Sequence, residues 1–319
     1  MIIQIMDFQD PRIKDEIFLA KKSAWLYYVA KLSQNQIATK IGLSKMRVHR
    51  LIALAEKNGY IKTFVEGGFD KTEKFETILK NKYNIKICEV IPNDEKTNDP
   101  LEMLGAAGAR FIMNQINENN INEFGIGSGN TMSSVAKWLP KINKNINFVS
   151  LHGTLTSKNS IQTENSINQI AYKTDGDCYS FSLPLMADSI EQKKNIINIK
   201  FVKEIIERGN NTKIKILGIG GLYESSQIVK SAMFSKKSID KLKNLGAVGE
   251  VSGNFFNVNG KLISNKETKK IIGSDSSFFK GSKTVLIAGG KNKVLQIKSV
   301  LKSTLFSGLI TDETTAKNL

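Results

Sequence analysis

From residue 85 onward, short apolar runs alternate with amphipathic segments of helical period. The runs are "IKICEVIP" (85–92), "INEFGI" (121–126), "INFVSLHG" (146–153), "CYSFSLP" (178–184), "KIKILGIGG" (213–221), "KTVLIAGG" (283–290) and "SGLITDE" (307–313). Between them lie helical patterns, among them 100–117, "TENSINQIAYKT" (163–174), "NIINIKFVKEIIERG" (195–209) and "NKVLQIKSVLKS" (292–303). Strands that alternate with helices close into a mainly parallel sheet covered on both faces. The fold class is therefore α/β, doubly wound, over residues 85–319. Three of the runs end in glycine clusters, "GIGSGNT", "LGIGGL" and "IAGGKNK". Ligands of parallel α/β sheets bind at the carboxyl ends of strands, so these loops are expected to converge on one pocket.

The first loop, "FGIGSGNTM" (124–132), leads into a helical segment. Bare glycines let backbone N–H groups approach an anion, and a helix N-terminus adds positive potential. The loop is not a dinucleotide fingerprint, because that pattern needs glycine at its sixth position, where Asn130 stands. Lys293, opening a helix after Gly289 and Gly290, is placed to meet an anion. Glu250, set between glycines in "LGAVGEVSG", suits sugar hydroxyls. The set predicts a small phosphorylated ligand, a sugar or polyol.

The N-terminal part carries a different signal. Residues 15–32 form one amphipathic helix, with Ala20, Ala24, Tyr27 and Tyr28 on one face. In "SQNQIATKIGLSKMRVHRLIALAEKNGY" (33–60), Ser33 caps a short helix, Gly42 takes the positive φ of a sharp turn, and Ser44 caps a second helix. Ile37, Ala38, Ile41, Gly42, Leu43, Val48 and Leu51 fall where a helix-turn-helix needs them. The alternating "YIKTFVEGG" (60–68) predicts a β-wing.

Net charge is +16. Between residues 31 and 62, seven bases (Lys31, Lys40, Lys45, Arg47, Arg50, Lys57, Lys62) face the single acid Glu56, which leaves +6. Such a concentration points to duplex DNA as partner. Arg47 and Arg50 are expected at base edges and Lys45, Lys57 and Lys62 at phosphates. Ser44 starts the recognition helix, and His49 suits either role.

Other chemistries are disfavoured. Cys88 and Cys178 have no metal or disulfide spacing, and with only His49 and His152 a histidine-rich metal site is not expected. No run is long and apolar enough for a membrane span, and the start does not read as a signal peptide, so a cytoplasmic protein without cofactor is expected. An enzyme with a DNA-binding appendage, a sugar-phosphate isomerase or deaminase, is the rival reading. It lacks a clear acid–base pair, since Glu250, His152 and Asp312 are its only candidates and Asp312 is expected to cap the final helix.

The segment 23–61 resembles the N-terminal domain of SorC-type sugar-binding transcriptional regulators. "GIGSGNT", "VSLHGTL", "LGIGG", "LGAVGEVSGNFFNVNG", "VLIAGGKNKVLQIKSVL" and "LITDETTA" resemble the body of that family in the same order. The resemblance implies three parts: a winged helix-turn-helix over 1–68, a linker helix over 69–84, and an effector and oligomerisation domain over 85–319. The last has the fold of sugar-phosphate isomerases and deaminases. It also implies a homo-oligomer, a tetramer or dimer of dimers, without catalysis. Gly127, Ser128, Gly129, Thr131 and Lys293 would hold phosphate, and Gly153, Glu250 and Gly290 would line the sugar end. Asn130, His152, Gly220 and Gly289 complete the expected effector site. Ser128 stands where members often carry an aromatic residue, and Asn130 where they often carry a basic one. His152 occupies the place of a Schiff-base lysine in the related deoxyribonucleoside regulator, so covalent aldehyde capture is not expected.

Overall fold

A computed structural model describes residues 11–61, 70–93, 99–142, 144–153, 166–180, 183–231, 234–279 and 281–319. The chain divides into two compact units, Met1–Val65 and Glu66–Leu319.

The first unit holds helices α1 (Pro11–Tyr28), α2 (Gln34–Ile41) and α3 (Lys45–Lys57). Ser33 caps α2 through a capping box with Gln36, and Gly42 ends it at φ +70°. Ser44 caps α3 by accepting the Arg47 N–H at 3.3 Å. Reciprocal caps at both ends of so short a turn fix where each helix starts. Val48, Leu51, Ile52 and Ala55 form the buried stripe of α3. Val48 and Ile52 meet Leu26, Ile37 and Ala38, while Leu51 and Ala55 meet Ala20 and Ala24. Tyr27, expected on the inner face, is exposed; Leu26 is buried in its place. The expected wing and Lys62 lie outside the described residues.

Ala38 sits in the cluster where α2 meets α3 and α1. Replacing it by Leu is expected to overpack that crossing at about 1–3 kcal/mol. Ligand binding to the second unit should be untouched, because that unit has its own core. A urea titration beside a ligand titration of Ala38→Leu checks both halves.

The second unit opens on α4 (Asp70–Tyr83), the helix read from sequence as a linker. Its Leu79 and Tyr83 are buried among Cys88, Ala316 and Leu319. The Tyr83 hydroxyl donates to the Leu319 carbonyl at 2.9 Å. It is a packed part of this unit, as is the next helix, α5 (Leu101–Asn119).

A seven-stranded, wholly parallel sheet follows. Its strands are β1 (Ile87–Ile91), β2 (Glu123–Ile126), β3 (Asn147–Ser150), β4 (Cys178–Tyr179), β5 (Ile214–Gly218), β9 (Lys283–Ile287) and β10 (Gly308–Asp312), in the order β1-β10-β9-β5-β2-β3-β4. Each expected run supplies one of these strands. A smaller antiparallel sheet, β6 (Gly220–Gly221), β7 (Ala247–Val251) and β8 (Asn254–Asn257), was not anticipated. The helix read over 195–209 is two, Ile190–Ile197 and Lys200–Asn211, because Asn198 and Ile199 break it.

From β2 the chain proceeds to β3 and β4; from β5, the other neighbour of β2, it proceeds to β9 and β10 in the opposite direction. The β2/β5 boundary is thus the switch point of the sheet, where a crevice opens at the strand ends.

Lys215, in β5, is fully buried. Its ammonium donates to the carbonyls of Asn210 at 3.0 Å and Thr212 at 2.9 Å. Burial pushes its pKa from 10.5 down to about 8. Between those values the unfolded chain holds more protons than the folded one, so stability rises with pH across that window and falls as pH drops through about 8. Wild type is expected to gain on the order of 2 kcal/mol relative to Lys215→Met between about pH 7.5 and 10. Parallel urea titrations at several pH values measure it; a constant difference would refute it.

Candidate functional site

The crevice at the switch point holds a cavity of about 250 Å³. β2 contributes Gly127, Ser128 and Gly129, then the first residues Asn130 and Thr131 of α6 (Asn130–Trp138). β5 contributes Gly218 and, through β6, Gly220 and Gly221. Gly289 and Lys293 come from the end of β9, Glu250 from β7, His152 from beyond β3.

Gly129 starts α6 at φ +102°, a region closed to other residues without strain. The first helical bond runs from the Ser133 N–H to the Gly129 carbonyl at 3.0 Å, so the N–H groups of the first turn have no intrahelical partner. The Gly127 N–H is taken by the Ile216 carbonyl at 3.0 Å. Anion contact from this loop therefore falls to the groups after it.

Gly289 is required by its neighbour: a Cβ there would lie 2.1 Å from a carboxylate oxygen of Asp312. Asp312 is 2% exposed. It accepts the Gly290 N–H at 2.8 Å, the Thr315 N–H at 2.9 Å and the Thr315 hydroxyl at 2.6 Å. It caps the helix Glu313–Asn318, as expected, and also ties that cap to the loop that carries Lys293.

The Oε2 of Glu250 accepts the Gly253 N–H at 3.0 Å. Burial raises its carboxyl above the usual range, opposed by that hydrogen bond and by Lys293. Burial lowers the Lys293 ammonium, opposed by Asp99 and Glu250. His152 is buried, which holds its pKa below the usual imidazole range. Its Nδ1 lies 2.6 Å from the Gly153 carbonyl, so Nδ1 carries the hydrogen and Nε2 is the acceptor, 3.4 Å from the Ser128 hydroxyl that donates to it. Asn130 accepts from Gln227 at 2.6 Å.

Gly153 and Gly290 were expected in the lining and are not part of it. The Gly153 N–H donates to Ile272 at 2.9 Å, and a Cβ there would meet the Pro184 carbonyl at 2.5 Å, so Gly153 serves a close backbone crossing. Gly290 serves the Asp312 link. The sequence reading missed Asp99, Tyr223, Ser226, Gln227 and Ser252, all of which line the cavity. Asp99, just before Pro100, carried a helix-start signal: its Oδ1 accepts the Leu101 N–H at 3.0 Å. Ser252 belongs to the unanticipated hairpin.

In the first unit, Ser44, Lys45, Arg47, His49 and Arg50 are all exposed at or near the start of α3. Arg47 lies 3.8 Å from Glu16, a half-exposed pair that costs little to separate. His49 lies 3.4 Å from Gln34. Among the described residues no cluster of His, Cys, Asp or Glu is arranged to hold a metal, and no helix is long and apolar enough to cross a membrane.

Residues 68–319 match the family described as "Putative sugar-binding domain", and residues 30–62 match winged helix-turn-helix DNA-binding. The erythritol catabolism regulatory protein EryD of Brucella abortus is 35% identical over 302 residues, covering 94% of this chain and 96% of that protein. The deoxyribonucleoside regulator of Bacillus subtilis is 26% identical over 306 residues, covering 94% and 96%. The full-length sorbitol operon regulator SorC of Klebsiella pneumoniae superposes with a TM-score of 0.74 at 20% identity, covering 94% of this chain and 97% of that one. These relatives bear the names of regulators, not enzymes. With one unit built as a helix-turn-helix and the other matching a sugar-binding domain along its length, the chain belongs to the SorC-type family of sugar-binding transcriptional regulators.

Proposed function

We propose that the DNA affinity of this regulator is set by a small phosphorylated sugar or polyol bound at the switch-point cavity. The phosphoryl group lies against the first turn of α6 and Lys293, and the hydroxyls lie toward Glu250 and His152. The observation that carries this reading is the convergence of three glycine-bearing strand ends, one free helix N-terminus and one lysine on a single cavity. The name of the EryD relative favours a short polyol, and a 250 Å³ cavity suits a ligand of that size. The protein acts as a homo-oligomer in the cytoplasm, because a helix-turn-helix protein reads paired half-sites through paired copies. The effector works by binding two arrangements of the subunits with different affinity.

A thermal-shift screen of phosphorylated sugars and polyols tests the reading, since a ligand at about 100 times its Kd stabilises the fold by about 2.7 kcal/mol. Removing the ammonium in Lys293→Ala is expected to cost roughly 1.5–3 kcal/mol, or one to two decades of effector affinity. DNA affinity without effector should stay as in wild type. In a DNA-binding titration the variant should need proportionally more effector; equal half-maximal concentrations would place the phosphate elsewhere.

A further inference from the structure

The basic character of the chain is not confined to the helix-turn-helix. Residues 1–65 hold eleven bases and five acids, a balance of +6, so +10 of the chain's +16 falls on the second unit. Part of it is concentrated on the helix Lys236–Asn244, where Lys236, Lys237, Lys241 and Lys243 oppose only Asp240. That leaves +3 in nine residues, a denser excess than the +6 spread over residues 31–62.

Packing dictates which way these lysines face. Ser235 caps the helix by accepting the Ser238 N–H at 3.1 Å, and Ser238, Ile239 and Leu242 form its buried side. Ile239 and Leu242 share a cluster with Ala247 of β7 and Phe255 of β8, while the next residue of β8, Phe256, joins the main core with Val251. Successive side chains of a strand point to opposite faces, so the small sheet lies between the main core and this helix, which forms an outer layer of the unit. All four lysines are exposed, as is Lys230 just before them. Among the described residues none of the five is in an ion pair. Helix electrostatics do not account for them all. Lys236 and Lys237 stand in the first turn, where the helix dipole disfavours cations and no acid offsets them. Only Lys241 and Lys243, in the last turn, suit it.

A face of lysines fits a phosphate backbone better than a protein. Interfaces between proteins are depleted in lysine, whereas ammonium groups on phosphates supply the sequence-independent part of DNA binding. Lys236 and Lys243 are about 10 Å apart along the helix axis, a length that passes about three phosphates of one strand. Once the helix-turn-helix is on its duplex, neighbouring phosphates stand at high effective concentration for a cationic face of the same chain. We propose that the helix Lys236–Asn244 is a second DNA-contacting surface, which meets the phosphate backbone without reading sequence. The small sheet beneath it also lends Gly220, Gly221 and Glu250 to the cavity, so this surface and the effector site share one layer. The contact does not depend on what the cavity binds.

The test is a titration of the full chain against a duplex from its own promoter region at several salt concentrations. Wild type is compared with a variant that combines Lys236→Gln, Lys237→Gln, Lys241→Gln and Lys243→Gln, and with a control that combines Lys194→Gln, Lys200→Gln, Lys203→Gln and Lys213→Gln. The control lysines are exposed elsewhere on the same unit, and their loss removes the same charge. The first variant is expected to flatten the slope of log affinity against log salt by about one for each lysine seated on a phosphate, about three for one engaged copy. The control should change it by less than about one, and Arg at the four positions of the face should restore the wild-type slope. A wild-type slope in the first variant would overturn the contact and leave the face to an acidic protein partner. An equal flattening in variant and control would overturn it too, because net charge and not this face would then set the slope.

Discussion

Raising salt from about 50 to 200 mM is expected to weaken operator binding by about 10³–10⁵-fold, if the oligomer neutralises six to ten phosphates. The expectation rests on Lys45, Arg47, His49 and Arg50, all exposed around the start of α3 while its Val48, Leu51, Ile52 and Ala55 stripe is buried. The two kinds of contact separate by mutation. Arg47→Ala should cost about 1–3 kcal/mol and relax preference at one base pair, if its guanidinium is bidentate to a guanine. Lys45→Ala should weaken all sequences alike and reduce the salt slope by about one. Band-shift or anisotropy titrations at several salt concentrations, with duplexes from the protein's own promoter region, measure each effect. A salt-independent complex would refute the arrangement.

The second large effect is expected at Asp312. Asp312→Ala removes the acceptor for the Thr315 N–H and hydroxyl and one of two acceptors for the Gly290 N–H. Orphaned buried donors cost roughly 1–3 kcal/mol each, and a lost N-cap about 1, so a loss of about 3–5 kcal/mol is expected. Effector affinity should fall too, because Gly290 anchors the loop that carries Lys293. Asp312→Asn keeps one acceptor oxygen and should lose less of both. Urea midpoints with ligand titrations at saturating stability check the pair. An Asp312→Ala protein of native stability would show the link to be dispensable.

Much of this architecture is legible in the residues. The caps at Ser33 and Ser44 and the turn at Gly42 are local features, so sequence spacing determines them. The parallel strands are legible because burial on both faces leaves runs such as "KTVLI" and "GLITD" with little polar interruption. The β7–β8 hairpin was missed because its glycines, at 246, 249 and 253, dilute the alternation that marks a strand. Ser252 at φ +51° and Gly253 at φ +79° form its turn, a pairing without the usual asparagine signal. Its cavity residue Ser252 was lost with it. Gly153 and Gly290 were misplaced for another reason. A glycine that admits a ligand looks in sequence like one needed for a backbone crossing or a left-handed turn; only the structure shows that Gly153 faces the Pro184 carbonyl and that Gly290 takes φ +101°.

The register of the first strand has a consequence for how the protein is made. Ile87 pairs with Gly308 and Ile91 with Asp312, so β1 is flanked by a strand synthesised more than 200 residues later. Helix–helix contacts within the first 61 residues are short-range, and such contacts form quickly. The nascent chain thus acquires its DNA-reading helices long before the sheet can close. Gly289 and Lys293, which line the cavity, follow β9, so that part of its wall is made more than 200 residues after the helix-turn-helix. A chain that stalls or is cut before β9 would carry a helix-turn-helix and an incomplete cavity, and its exposed parallel strands would mark it for proteolysis.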